Sequence, residues 1–245
     1  VSVKQLVRGK RLLKDFDTEI SLLLENTMRN KGIDIQYDCQ VKSLEGEKGD
    51  LVLKKIKGDD IKSEAVLFAT GREPLIEDLG LDKNGIQVNK NKVIVDEMNR
   101  TNIASIFAVG DVSNRINLTP VAIAEGRSFS DRVFANKKPN MNYDFVPYAV
   151  FSQPEIASVG LTQEEALKSY GENELIVYRS RFLPMTQSLP KSGPPCLLKL
   201  IVRISTGKIL GCHMIGENSS EIIQMASISI SMGATKQDFD NTMAL

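Results

Sequence analysis

Alternating strand and helix patterns open the chain. Residues 1–7 predict a strand, and residues 16–31 carry apolar side chains at the spacing of an amphipathic helix that Gly32 ends. Residues 33–37 predict the next strand. This strand, helix and strand are expected to begin the later half of a nucleotide-binding domain.

Shorter strands are predicted after this unit. Residues 40–44 and 51–56 form a predicted hairpin across a charged, glycine-containing turn. Residues 64–69 predict a buried strand that ends at Ala69-Thr70-Gly71, and residues 85–94 predict an Asn-rich hairpin. A meander with a return strand is typical of the later half of a nucleotide-binding domain.

The stretch 101–127 joins an apolar run to a candidate ligand site. Residues 106–109, Ile-Phe-Ala-Val, predict a buried strand that ends at Gly110 and Asp111. Thr119 then predicts an N-cap and Pro120 the first position of a helix of small residues. A carboxylate and a helix N-terminus should therefore face one crevice at the end of a strand.

This pair of features suits a flavin. The Asp111 carboxylate can accept hydrogen bonds from ribityl hydroxyls. The helix end at Thr119 would set N–H groups near the pyrimidine side of the ring, where reduction places negative charge. A surface Asp turn beside a capped helix would produce the same pattern without a ligand.

The composition changes after residue 143, and the pattern there predicts an antiparallel sheet. Helices are predicted over 162–170, with a capping box between Thr162 and Glu165, and over 219–231. The predicted strands cover residues 146–151, 156–160, 175–180, 196–203 and 209–215. An antiparallel sheet flanked by helices is an α+β module.

Composition narrows the classes of protein. The chain has 245 residues, of which 42% are hydrophobic and 25% charged, enough for one large or two modest domains. The formal net charge of +0 gives no sign of a nucleic-acid or anionic-membrane partner, and no apolar run could span a bilayer. Cys39, Cys196 and Cys212 form no CxxC pair. They indicate reduced thiols, so a cytoplasmic location is expected.

Five segments carry a resemblance to a known family. They are VLFATGREP (66–74), IFAVGDV (106–112), LTPVAIAEGR (118–127), VFSQPEIASVGLTQEEA (150–166) and MGATKQDFDNT (232–242). The chain resembles the pyridine nucleotide–disulfide oxidoreductases, and within them the NADPH-dependent glutathione reductases. The resemblance implies an α/β plus α+β fold: part of an FAD/NAD(P)-binding Rossmann-like two-domain region, then an antiparallel-sheet dimerisation domain.

The domains implied by the resemblance are residues 1–73, the later part of an NADP-binding domain, and 74–143, the later part of an FAD-binding domain. Residues 144–245 would be the dimerisation domain of a homodimer. FAD and NADP are the implied cofactors, with Asp111 and Thr119 at the flavin. Gly71 would touch the nicotinamide cofactor.

Two basic residues bear on the choice between NAD and NADP. In a dinucleotide fold an acidic residue after the second strand selects NAD, whereas Arg accommodates a 2′-phosphate. Arg8 has that place, with Lys14 as a second cation, and the resemblance implies that both grip the 2′-phosphate. A solvated basic turn is the alternative.

The implied substrate is glutathione disulfide. Arg127 matches a family position near the substrate carboxylate, and Met185 one that lines the substrate cleft from the partner subunit. A surface cation and an interface packing residue are the respective alternatives.

Several catalytic groups of the family have no match in this sequence. The only histidine, His213, lies in a predicted core strand and is expected to be structural. The 245 residues contain neither a GxGxxG loop nor the paired redox cysteines, and they end before the family's acid–base His. We therefore expect a fragment with no reductase turnover of its own. A relative acting on dihydrolipoamide or mercuric ion, or a non-enzymatic dimerisation module, remains an alternative.

Overall fold

The structure, a computed structural model, describes residues 1–113, 115–138, 141–190 and 193–243. The chain divides into two compact units, one formed by Val1–Val66 with Asp144–Leu245 and the other by Leu67–Tyr143. The division into domains 1–73, 74–143 and 144–245 stays a prediction. Ala244 and Leu245, at the end of the third predicted domain, lie outside the described residues.

The first unit begins with the predicted strand, helix and strand, which the structure confirms and joins in a parallel βαβ unit. Strand β1 (Lys4–Leu6) pairs in parallel with β2 (Asp34–Gln36), and helix α1 (Thr18–Asn30) connects them. Asp17 caps the helix by accepting a hydrogen bond of 3.1 Å from the backbone N–H of Glu19. The cap satisfies one of the N–H groups that have no partner inside the helix.

A three-stranded antiparallel sheet follows, made of β3 (Val41–Glu47), β4 (Asp50–Lys55) and β5 (Ile61–Ser63). The predicted buried strand over 64–69 is wrong, because β5 ends at Ser63 and the Leu67 side chain is 90% exposed. An apolar run becomes a strand only beside a neighbour that takes its backbone hydrogen bonds. Among the described residues, no strand pairs with 64–69.

The second unit has little sheet among its described residues. Its strands β6 (Val88–Asn89) and β7 (Lys92–Val93) confirm the hairpin predicted over residues 85–94. The predicted buried strand over 106–109 is wrong, for the same reason as the strand over 64–69. Within the described part of the chain its pairing is a single bridge between Phe107 and Arg100.

Helix α2 (Thr119–Ala135) is the long element of the second unit. The predicted N-cap is wrong by one residue, since Leu118 is the cap and Thr119 is the first helical residue. Leu118 has no side chain that can accept a hydrogen bond, so no side chain caps the first turn. Pro120 lies in that turn, where its missing N–H costs nothing.

The first unit continues with a five-stranded antiparallel sheet in the order β10-β11-β12-β9-β8, which confirms the predicted α+β module. The strands are β8 (Tyr148–Val150), β9 (Ile156–Gly160), β10 (Leu175–Phe182), β11 (Cys196–Arg203) and β12 (Ile209–Ile215). The helices are α3 (Gln163–Tyr170), α4 (Ser219–Ser231) and α5 (Lys236–Asn241). The predicted capping box of α3, between Thr162 and Glu165, is present.

The sheet is covered on both faces. Side chains alternate along its strands, so Cys212 and Met214 share one core with Ile223 and Ile230 of α4. The opposite face packs on α1. Its core contains Phe16, Ile20, Leu24, Ile156, Leu197 and Ile215. Burial of α1 against this face fixes where the loop between β1 and α1 lies.

Candidate functional site

The loop between β1 and α1 displays the two predicted phosphate-binding cations. Val7 continues the pairing of β1, since its N–H donates to the Gln36 carbonyl at 2.8 Å. Arg8 follows at the carboxyl end of the strand, the usual place of a nucleotide in such a unit. Arg8 and Lys14 are both exposed, and neither side chain has a partner among the described residues. Both cations are therefore available to an anion.

Arg11, in the same loop, has a structural part. Its guanidinium donates to the Lys14 carbonyl at 2.6 Å and to the Thr18 hydroxyl, and lies 3.5 Å from the Glu164 carboxylate. These contacts hold the second half of the loop in place. Arg11 is thus distinguished from Arg8 and Lys14 by the partners it already has.

The Gly110–Asp111 turn packs closely against α2. Gly110 has a φ of +73°, and a Cβ on it would lie 2.9 Å from the Ala122 Cβ, so glycine is required there. The Asp111 side chain is 47% exposed, and its Oδ2 accepts a hydrogen bond of 2.8 Å from Arg72. Arg72 also lies 3.4 Å from the Asn117 carbonyl. The sequence did not predict that Arg72 would join this turn to the start of α2.

The buried carboxylate of Glu125 holds the Gly110–Asp111 turn in place. Glu125 is 1% exposed, and its Oε2 accepts a hydrogen bond of 2.6 Å from the Gly110 N–H. Its Oε1 accepts one of 2.8 Å from the Tyr143 hydroxyl, to which Arg115 donates at 2.9 Å. Burial and the bond to Glu125 raise the pKa of Tyr143. Sequence reasoning missed Glu125, although a charge four residues after the apolar Val121, on one helix face, could have indicated it.

These residues fit a flavin. The half-exposed Asp111 carboxylate can accept hydrogen bonds from hydroxyls, and the first turn of α2 is exposed at Thr119 with no side-chain cap. Gly71 is exposed with a φ of +128°, in the region that favours glycine. The arrangement offers a ligand the Asp111 carboxylate, the Arg72 cation and the N–H groups of the first turn of α2, which no side chain caps.

The two predicted substrate residues each lie on the surface of their own unit. Arg127 is exposed on α2, and Met185 is 89% exposed in a short 3-10 turn of the other compact unit. A shallow surface cavity lined by Ile76, Leu81 and Val88 contains none of the predicted site residues. The roles of Arg127 and Met185 stay predictions.

His213 has the contacts of a structural residue. Its ring is fully buried, with Nδ1 at 2.9 Å from the Ser158 hydroxyl and Nε2 at 2.9 Å from the Leu161 carbonyl. Burial lowers its pKa, so the neutral ring donates from Nε2 and accepts at Nδ1. Both ring nitrogens are thereby occupied within the core.

Two further classes of site find no support in the part of the chain that the structure describes. No cluster of three His, Cys, Asp or Glu side chains there could hold a metal ion. None of the helices found there is long and apolar enough to cross a membrane.

Comparison with known proteins relates both parts of the chain to one family. Residues 1–126 match the pyridine nucleotide-disulphide oxidoreductase family, and residues 146–245 match the dimerisation domain of the same family. Glutathione reductases from Nostoc and Burkholderia cepacia are 39% and 41% identical to this chain, over 99% of it. These matches cover 56% and 54% of the two relatives, so the chain spans about half their length.

A solved structure shows the same fold. The HOCl-induced flavoprotein disulfide reductase RclA from Escherichia coli matches all of this chain with a TM-score of 0.90, at 23% identity and over 56% of its own length. The matched family models together cover most of the sequence. This chain therefore belongs to the pyridine nucleotide–disulphide oxidoreductase family.

Proposed function

We propose that this chain is part of an NADPH-dependent flavoprotein reductase that acts on glutathione disulfide. The carrying observation is the exposed pair Arg8 and Lys14, which has no partner among the described residues and follows the carboxyl end of β1. Two cations there suit the 2′-phosphate of NADP and would leave the free hydroxyl of NAD without an acidic partner. The glutathione reductases at 39% and 41% identity support the choice of substrate.

Each site residue has a defined part in this proposal. Arg8 and Lys14 bind the 2′-phosphate, and Gly71 lets the chain pass close to the nicotinamide cofactor. Asp111 accepts hydrogen bonds from the ribityl hydroxyls, and the N–H groups after Leu118 face the pyrimidine side of the ring. When bound, FAD would supply the hydride acceptor between NADPH and the disulfide.

The dimerisation domain supports a homodimer in this proposal. Helix α4 and the residue after it expose apolar side chains, with Met225 67% and Met232 83% exposed. Exposed apolar side chains on one helix are typical of a surface that another chain covers. In the dimer, Met185 would line the substrate cleft of the partner subunit and Arg127 would bind a substrate carboxylate. A cytoplasmic location is also a proposal.

The decisive test is Arg8→Glu in the complete reductase. The new carboxylate should repel the 2′-phosphate and accept a hydrogen bond from the free 2′-hydroxyl of NADH. We expect kcat/KM for NADPH to fall by about tenfold to a hundredfold, the effect of losing a charged hydrogen bond, while that for NADH holds or rises. Most of the change should be in KM, because the adenosine end binds alike in the ground and transition states.

Lys10→Glu is the matched control, since it reverses a charge on an exposed residue of the same loop. It should change the preference for NADPH less than Arg8→Glu does. An equal fall in kcat/KM for NADPH and NADH in Arg8→Glu would show that Arg8 is structural and would reject the assignment of NADP.

A further inference from the structure

A lysine is buried between the start of α1 and the five-stranded sheet of β8–β12, which we call the dimerisation sheet. Lys199, on β11, is 2% exposed. Its Nζ lies 2.9 Å from both carboxylate oxygens of Asp17 and 2.5 Å from Glu19. Asp17 is the N-cap of α1 and Glu19 lies in its first turn. The predicted dimerisation domain thus binds the helix that follows the predicted phosphate loop.

The same two carboxylates have further partners. Arg179, on β10, donates to both oxygens of Glu19 at 2.9 and 2.8 Å. Asp17 also accepts a hydrogen bond of 3.2 Å from the N–H of Gln163, the first residue of α3. We call Asp17, Glu19, Arg179 and Lys199 the Lys199 cluster. Two cations thus face two anions in this cluster, with Lys199 and Asp17 buried and Arg179 and Glu19 partly exposed.

The second half of the loop also rests on the sheet. The Phe16 and Tyr148 rings meet edge to face with centroids 4.9 Å apart, and the Tyr148 hydroxyl donates to the Asp15 carbonyl at 3.2 Å. Arg11 reaches the Glu164 carboxylate of α3. Contacts from residues 144–245 therefore fix the loop close to Lys14.

Packing alone does not require this lysine. Much of its face of the sheet is apolar, with Leu197 and Ile215 against Ile20 and Leu24. The polar neighbours of Lys199 on this face are His213, its partner on β12, and Ser158 on β9. Apolar replacements of a buried ion pair are often as stable or more so, whereas a buried pair fixes the relative geometry of its partners. The geometry fixed here is that of the first turn of α1, which begins four residues after Lys14.

We propose that Lys199 is a positioning residue for the 2′-phosphate site. It fixes the N-terminal turn of α1 to the dimerisation sheet, and so holds Lys14 and Arg8 where they can bind the phosphate together. Lys199 itself does not touch the cofactor. This inference rests on the proposed function, since it assumes that Arg8 and Lys14 bind the 2′-phosphate.

The test is cofactor selectivity in the complete reductase carrying Lys199→Met. A loosened loop should raise KM for NADPH by about threefold to tenfold, a partial loss of two charged hydrogen bonds. KM for NADH and kcat should change by less than about twofold, because neither depends on the 2′-phosphate. Arg203→Met is the matched control, since Arg203 is on the same strand but pairs with Glu174. It should leave the selectivity unchanged.

A second variant guards against failure to fold. Asp17→Asn with Lys199→Met removes both buried charges, and Asn can still cap the helix. It should fold and should lose preference for NADPH. Three outcomes would overturn the proposal: selectivity equal to that of the wild type in either folded variant, equal weakening of the binding of both cofactors, or failure of both variants to fold.

Arg8→Glu, measured in parallel, separates this inference from the proposed function. If Arg8→Glu shifts the preference and Lys199→Met does not, the inference alone fails. If neither does, the proposed function fails too.

Discussion

This chain contains two ion pairs that differ sharply in burial, each made of one carboxylate and one cation. The side chains of Asp17 and Lys199 are each 1% exposed, within the unit that combines residues 1–66 with 144–245. Asp111 and Arg72 are 47% and 70% exposed, in the unit formed by residues 67–143. The buried pair can therefore fix the backbone around it, whereas the exposed pair can open for a ligand at little cost.

Electrostatics makes this difference large. Burial raises the pKa of Asp17, but the hydrogen bond from Lys199 and the positive charge of that lysine outweigh it and leave the pKa below its usual value. An exposed pair is screened by water and is worth about 0–1 kcal/mol. Loss of one partner of a buried pair costs about 3–5 kcal/mol, because a charge is left alone in the interior.

The largest predicted effect compares the two pairs directly. Lys199→Met should lower the free energy of unfolding by about 3–5 kcal/mol. Arg72→Met, the same loss of charge in the exposed pair, should lower it by less than about 1 kcal/mol. Urea unfolding of both variants measures the two changes, and similar values would contradict the contrast in burial.

The exposed pair should instead matter for ligand binding. Asp111→Ala in the complete reductase should weaken FAD retention by about 1.5–3 kcal/mol, through loss of charge-assisted hydrogen bonds. Asp131→Ala is the control, because Asp131, on α2, forms an exposed ion pair with Lys137, which follows the helix. Fluorescence of released flavin gives the affinity, and an unchanged value for Asp111→Ala would reject Asp111 as a flavin ligand.

Glu125 offers a test of how the exposed site is held. Glu125→Ala would leave the Gly110 N–H buried without an acceptor, at a cost of about 1–3 kcal/mol. We expect lower stability and weaker FAD retention together. Glu125→Gln keeps one oxygen for Gly110 and should lose less of both. Equal behaviour of the Ala and Gln variants would mean that the hydrogen bond does not hold the turn.

The same comparison explains which elements the sequence could predict. Strands β9, β11 and β12 lie where predicted, because each finds a neighbour within its own unit. The apolar runs at 64–69 and 106–109 have equally strong patterns but no neighbouring strand among the described residues. Periodicity shows that a segment can form a strand, and only a partner makes it one.

Prediction of the candidate site has a similar limit. Arg8, Lys14 and Asp111 could be singled out because their places follow from a strand end or a motif. Lys199 and Asp17 are 182 positions apart along the chain, so no local pattern predicts that they meet. Lys199 had no signal beyond a charge in a strand of apolar residues, CLLKLIVR.

The smallest expected effect is the pH dependence of stability, and it comes from a buried group near Asp17 and Lys199. Burial lowers the pKa of His213, while the charges of Asp17, Lys199 and Glu165 act on it as well. A lowered pKa means that the unfolded chain binds a proton more readily, so stability is full above pH about 6.5 and falls as the pH drops toward the folded pKa. The slope should not exceed about 1.4 kcal/mol per pH unit.

His213 is the only histidine, so its titration should dominate the slope between pH about 5 and 7. Asp17 adds its loss of stability only at lower pH, as its lowered pKa is approached. His213→Gln keeps a donor toward the Leu161 carbonyl without a titrating ring, and should flatten the slope measured by urea unfolding at several pH values. A slope as steep as that of the wild type would show that a group other than His213 causes the pH dependence of stability.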